Sequence, residues 1–138
     1  VLLEILLQLS MDNAAEPLAT PMPVVSGDAD RARIDRVLDH IHLNYPAGIS
    51  IPELADIAAL SPSGLHRLFR RHTRRTVSAY VMRLRIGEAC ALLSGTARPI
   101  AHIAGDVGYA SLANFNRQFK LLRGLTPRAY RRQFETRR

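Results

Sequence analysis

Two short rows of residues, fifty positions apart, carry the chemistry of this chain: Ser63, His66, Arg67 and Arg70 in the first, Ala113, Asn116, Arg117 and Lys120 in the second. Offsets of 0, 3, 4 and 7 put four residues on one stripe of a helix, so each row is a single face. Arg67 and Arg117 each bring a planar fork of donors that fits the O6 and N7 acceptors of one guanine, and Asn116 pairs a donor with an acceptor in the pattern of adenine. His66 can donate or accept at a base edge or a phosphate. Ser63 offers a hydroxyl, and Ala113 offers at most an apolar contact with a thymine methyl. Arg70 and Lys120 lie one turn further from the helix start and suit backbone phosphates. The same role is expected of Arg71, Arg74, Ser61 and Ser111 and of the amides at the helix openings, 61–63 and 111–113. An arginine on an exposed helix face is ordinarily just solvated; the recurrence of a matched row argues for more.

The elements that must position these rows follow from the apolar residues. Leu65, Leu68, Phe69 and His72 form the opposite stripe of the first helix, and Phe115, Phe119 and Leu122 that of the second, with polar Gln118 in the remaining slot. The repeat extends beyond the rows: Thr76 and Tyr80 match Thr126 and Tyr130 at an offset of fifty, whereas upstream Ala55 matches Ala104 and Leu60 matches Tyr109 at forty-nine. One extra residue near Ala110 therefore lengthens the second turn. Helix starts are marked by Ser50-Ile51-Pro52-Glu53, Ser61-Pro62, Thr76, Ser111 and Thr126-Pro127, where a hydroxyl can accept from a first-turn amide and a proline has no donor to lose. These signals predict an all-α chain of seven helices, roughly 31–44, 52–59, 62–73, 77–93, 99–107, 112–123 and 127–136.

Each repeat is a short helix, a tight turn and a second helix, with small Ala55 or Ala104 allowing close crossing and Gly108 permitting a positive φ: a helix-turn-helix unit of homeodomain-like type. The helix over 77–93 carries two apolar stripes, Val77, Tyr80, Val81, Leu84 and Ile86, Ala89, Cys90, Leu93. They start nine residues apart, which at about 100° per residue sets them on opposite sides, one for each unit. At about 1.5 Å per residue this strut spans roughly 25 Å, a length compatible with outward helices about one DNA turn, near 34 Å, apart. The expected division is a terminal helix remnant of an upstream domain (1–11), a linker (12–29) with Pro17, Pro21, Pro23 and Gly27, and a domain over 30–138. That domain comprises a first unit (30–76), the linking helix (77–93) and a second unit (97–138).

Charge agrees with this organisation. The chain has 138 residues, 47% hydrophobic, and a net charge of +7 in which Lys120 is the single lysine. Residues 1–44 hold three basic and seven acidic side chains, net −4, while 45–138 hold sixteen basic and five acidic, net +11. A field of that sign attracts polyanions. One cysteine, Cys90, excludes an internal disulfide or thiolate cluster and reads as a small core residue in a reducing compartment. The apolar run 1–9 is far short of the roughly 20 residues that span a bilayer and lacks a basic leader. His40 and His42 lie about 200° apart on a helix and do not converge on a metal. No phosphate loop or nucleophile-base set is visible, so the expectation is a non-enzyme without metal or cofactor.

From 49 to 134 the chain resembles the DNA-binding domain of the AraC/XylS family of bacterial transcription regulators. The second unit carries the most specific string, Ile103-Ala104, Gly108-Tyr109, Ser111, Phe115, Arg117, Phe119-Lys120, Gly124, Thr126-Pro127 and Tyr130-Arg131. The first carries Leu54-Ala55, Ser61, Leu65, Arg67, Phe69 and Tyr80, and the linking helix carries Arg85, Ile86, Ala89 and Leu92-Leu93. The resemblance implies a cytoplasmic regulator whose two motifs bind an extended double-stranded promoter site, commonly recruiting RNA polymerase, with an effector ligand or dimer contact supplied by a preceding domain and no membrane partner. It maps base reading onto Ser63, His66 and Arg67 and onto Ala113, Asn116 and Arg117, the same residues as the face arithmetic. One departure stands out: Arg74 occupies a position where the family often has glycine, while the second unit keeps Gly124. A left-handed backbone there would cost about 1 to 2 kcal/mol, so either that helix end differs or Arg74 is held for a phosphate. Gly64, a weak helix former, would permit close approach to a groove. The alternative from another class is an Arg-rich interaction module for an acidic protein partner, with only nonspecific DNA affinity.

Overall fold

The computed structural model describes the backbone of residues 21–135 and the side chains of residues 27–135. Among these residues the chain forms seven helices and no strand: α1 (Pro21–Asn44), α2 (Ile51–Ala58), α3 (Pro62–Thr73), α4 (Val77–Gly95), α5 (Ile100–Asp106), α6 (Leu112–Arg123) and α7 (Pro127–Glu135). From α2 onward the boundaries follow the cap and proline signals to within two residues. At the start, α1 begins at Pro21 and runs through 21–29, which the prolines had marked as linker. The reason is local: Pro21 and Pro23 fall in the first turn, where amides have no carbonyl partner within the helix and the fixed proline φ suits helical geometry. The remaining linker residues, 12–20, and the expected helix remnant at 1–11 lie outside the described residues.

The helices gather into two compact units. One takes the described residues up to Leu43 together with Ile49–Val77; the other takes Asn44–Gly48 and continues from Ser78. The linking helix α4 therefore belongs, from Ser78 onward, to the second unit. In the first unit the α1 stripe Ile34, Val37, Leu38 and Ile41 is buried, as are Leu54 and Ala55 of α2 and Leu65, Leu68 and Phe69 of α3. In the second, Ile86, Ala89, Cys90 and Leu93 of α4 share a core with Ile103 and Ala104 of α5 and Phe115 and Phe119 of α6. Each fully buried Leu, Ile or Phe contributes about 1.5 to 3 kcal/mol, which is what fixes the opposite face of α3 and α6 toward solvent. Among the described residues, no helix is long and apolar enough to cross a membrane.

Candidate nucleic-acid interface

The two turns that present α3 and α6 are built from equivalent hydrogen bonds. After α2, the Leu60 amide donates to Ala55 O at 2.9 Å and the Ala59 amide to Asp56 O at 3.0 Å; after α5, Tyr109 donates to Ala104 O at 2.9 Å and Gly108 to Gly105 O at 3.1 Å. This pairing closes the end of a helix around one left-handed residue. That residue is Ala59, at φ 56°, in the first unit and Gly108, at φ 109°, in the second. The next helix is then started by serine: Ser61 Oγ accepts from the Gly64 amide at 3.1 Å and Ser111 Oγ from the Asn114 amide at 3.2 Å. Ser61 and Ser111 thus use an acceptor lone pair inside the fold and keep the hydroxyl proton for an outside partner. The far ends match as well, Arg74 N to Arg70 O at 2.9 Å and Gly124 N to Lys120 O at 2.8 Å. Arg74 is left-handed at φ 62°, beside 75° for Gly124, so the first unit's helix ends as the second does despite lacking the glycine.

On these matched helices the two rows stand outward. Ser63, His66, Arg67 and Arg70 are all exposed, and so are Ala113, Asn116, Arg117 and Lys120. Leu65, Leu68 and Phe69 are buried and His72 half-buried on the other side of α3; Phe115 and Phe119 are buried and Gln118 and Leu122 half-buried on α6. Gln118 sits in an apolar stripe because the Tyr109 hydroxyl donates to its Oε1. Burial pushes the Tyr109 phenol above its ordinary value, against the pull of nearby Arg85. Arg74 and the serines Ser61 and Ser111 are exposed beside the rows.

Arg71 is held by a long-range ion pair within the first unit. Its Nη2 donates to Asp30 Oδ2 of α1 at 2.6 Å, and Arg33 Nη1 donates to the same carboxylate's Oδ1 at 3.3 Å. Nothing in the helical periodicity of 62–73 points to a partner forty-one residues upstream. Gly64 also has a local role: a Cβ there would stand 3.3 Å from Ser61 Oγ, so the bare residue leaves room for the cap. The His40 imidazole lies 3.4 Å from Glu53.

In the second unit, two arginines of the family string and Gly108 have structural partners that their spacing does not indicate. Arg85 of α4 donates through Nε and Nη2 to Tyr45 O at 3.1 and 2.9 Å, and its guanidinium lies 5.6 Å from the centre of the Tyr109 ring. Gly108 fits beneath this clasp: a Cβ would stand 2.9 Å from Arg85 Nε, 3.0 Å from Pro46 O and 3.1 Å from Tyr45 O. Arg131 of α7 donates to Leu93 O and Thr96 O at 3.1 and 3.2 Å, satisfying carbonyls at the close of α4. On α6 itself, Arg117 Nη2 donates to Asn114 Oδ1 at 2.7 Å.

Comparison with known proteins places this geometry. A family described as a helix-turn-helix domain matches residues 54–133. The Msm operon regulatory protein of Streptococcus mutans is 26% identical over 110 residues, 80% of this chain and 40% of that protein. The transcriptional activator RhaS of Escherichia fergusonii is 31% identical over 109 residues, 78% of this chain and 39% of that protein. The chain thus spans about 40% of the length of these relatives. Among solved structures, a transcriptional regulator with an AraC-type DNA-binding domain from Chromobacterium violaceum superposes with a TM-score of 0.69 at 25% identity, over 75% of this chain and 93% of that one. With two serine-capped outward helices, the second-unit string and these relatives in agreement, the chain belongs to the AraC/XylS family of transcription regulators and carries the C-terminal helix-turn-helix DNA-binding domain of that family.

Proposed function

We propose that α3 and α6 each read one major-groove segment of a single promoter site, and that the chain regulates transcription from there. The observation that carries this reading is the pair of exposed rows at equal register on identically capped helices. Arg67 and Arg117 take guanine edges, Asn116 an adenine, His66 and Ser63 a base edge or adjoining phosphate, and Ala113 a thymine methyl. Arg70, Arg74 and Lys120 hold phosphates, joined by the hydroxyl protons of Ser61 and Ser111 and by the first-turn amides. Arg71 reaches a phosphate only in competition with Asp30. RNA polymerase is the partner through which such a site acts, and an effector ligand acts through sequence beyond this domain; the names of the Msm and RhaS relatives, a regulatory protein and an activator, favour this part.

Selection of binding sites from random duplexes tests the proposal. A site in two parts about ten base pairs apart is expected. Arg70→Ala or Lys120→Ala weakens all sequences alike and lowers the salt slope by about one contact. Binding without enrichment of any sequence would instead support a basic interaction module for an acidic protein partner.

A further inference from the structure

Arg67 and Arg117 occupy the same position on α3 and α6, yet their surroundings on the helix differ. Three residues before Arg117 stands Asn114, whose Oδ1 accepts from Arg117 Nη2 at 2.7 Å. Three residues before Arg67 stands Gly64, which has no side chain to offer and where a Cβ would stand 3.3 Å from the capping Ser61 Oγ. A guanidinium carries five N–H donors in a rigid fork, so the bond to Asn114 leaves four, enough for the two that a guanine edge accepts. A flexible arginine must be ordered when it binds, and ordering it beforehand removes part of that cost for the one geometry in which it is held.

We propose that Asn114 is a positioning residue that sets the stringency with which Arg117 chooses its base, so that the second unit reads with a pre-oriented arginine and the first with an adaptable one. This rests on the reading of Arg117 as a base contact. In this reading Asn114 acts through Arg117 and not on a base itself. The Asn114 backbone N–H, and not its carboxamide, donates to the capping Ser111 Oγ. The cap, and with it the start of α6, therefore survives replacement of the side chain.

The test is binding-site selection on the full chain, followed by affinities for duplexes that differ only at the base pair whose preference Arg117→Ala abolishes. Asn114→Ala is expected to reduce discrimination at that pair about fivefold, with the preferences of the first segment unchanged. Asn114→Asp keeps an acceptor facing Arg117, so it retains the preference at that pair while its negative charge weakens binding to all sequences. A loss that is only structural would instead lower affinity uniformly and shift thermal unfolding. Full discrimination in Asn114→Ala, where Arg117→Ala loses it, overturns the inference alone. A selected site indifferent to Arg117→Ala overturns the reading beneath it, and the inference with it.

Discussion

Where the first helix of each pair ends, the chain takes a positive φ, at Ala59 in the first unit and at Gly108 in the second; where the second helix ends it does so again, at Arg74 and at Gly124. The second unit thus places glycine at both left-handed positions and the first at neither. The cores differ in the same sense. The second unit runs a chain of rings from Tyr109 through Phe115, Phe119 and Tyr130 to Phe134, with centroids 5.3, 5.8, 5.5 and 5.0 Å apart. At the first three of these places the first unit has Leu60, Leu65 and Phe69. Aromatic pairs of this kind add about 0.5 to 1.5 kcal/mol each beyond the area they bury. Two packings of different chemistry therefore hold one backbone geometry. What they share is the pair of turn hydrogen bonds and the serine cap, and these, with the apolar stripe, set how the outward rows are presented.

The contrast can be broken most severely at Gly108. Gly108→Ala meets both a left-handed backbone and two carbonyls at close range, and is expected to destabilise the second unit by about 3 to 4 kcal/mol in urea or thermal unfolding. A loss under 1 kcal/mol would mean that the clasp around Tyr45 and Pro46 is not tight. Removing the clasp from the other side, Arg85→Ala deletes two charge-assisted bonds to Tyr45 O and costs about 2 to 3 kcal/mol. Amide exchange in 44–48 should rise with it, and unchanged exchange there would contradict the assignment.

Smaller effects sharpen the comparison at the helix ends. Gly124 has open space around a Cβ, so Gly124→Ala pays only the left-handed conformation, about 1 kcal/mol. In the first unit the sign reverses: Arg74→Gly and Ala59→Gly each relieve a strained residue but add freedom to the unfolded chain, for a net gain of about 0.5 kcal/mol. Destabilisation by either would show that the first unit tolerates its non-glycine turns without strain.

These outcomes also mark what was legible in the sequence. Helix starts could be read because a capping serine or threonine acts within three residues of itself, and the core stripes because burial follows the helical period. The Ser63 and Ala113 rows were legible as faces for the same reason. The beginning of α1 was not, because Pro21 and Pro23 signal a break in mid-helix and are harmless in a first turn. Arg85 was visible only as part of a family string, since its partner is a backbone carbonyl, which every residue has. The Asp30 to Arg71 pair and the bond from Tyr109 to Gln118 join elements that only folding brings together, although a glutamine in an apolar stripe was itself a signal that some polar partner lay nearby.

Site selection carried out in parallel on the parent chain, Arg67→Ala and Arg117→Ala tests the central claim most directly. Each change is predicted to erase base preference in one segment and leave the other, the two segments lying about ten base pairs apart, at a cost of roughly 1 to 3 kcal/mol on the preferred site. Sites unaltered by both changes, or altered at the same base pairs by both, would contradict the account of one duplex read by two matched helices.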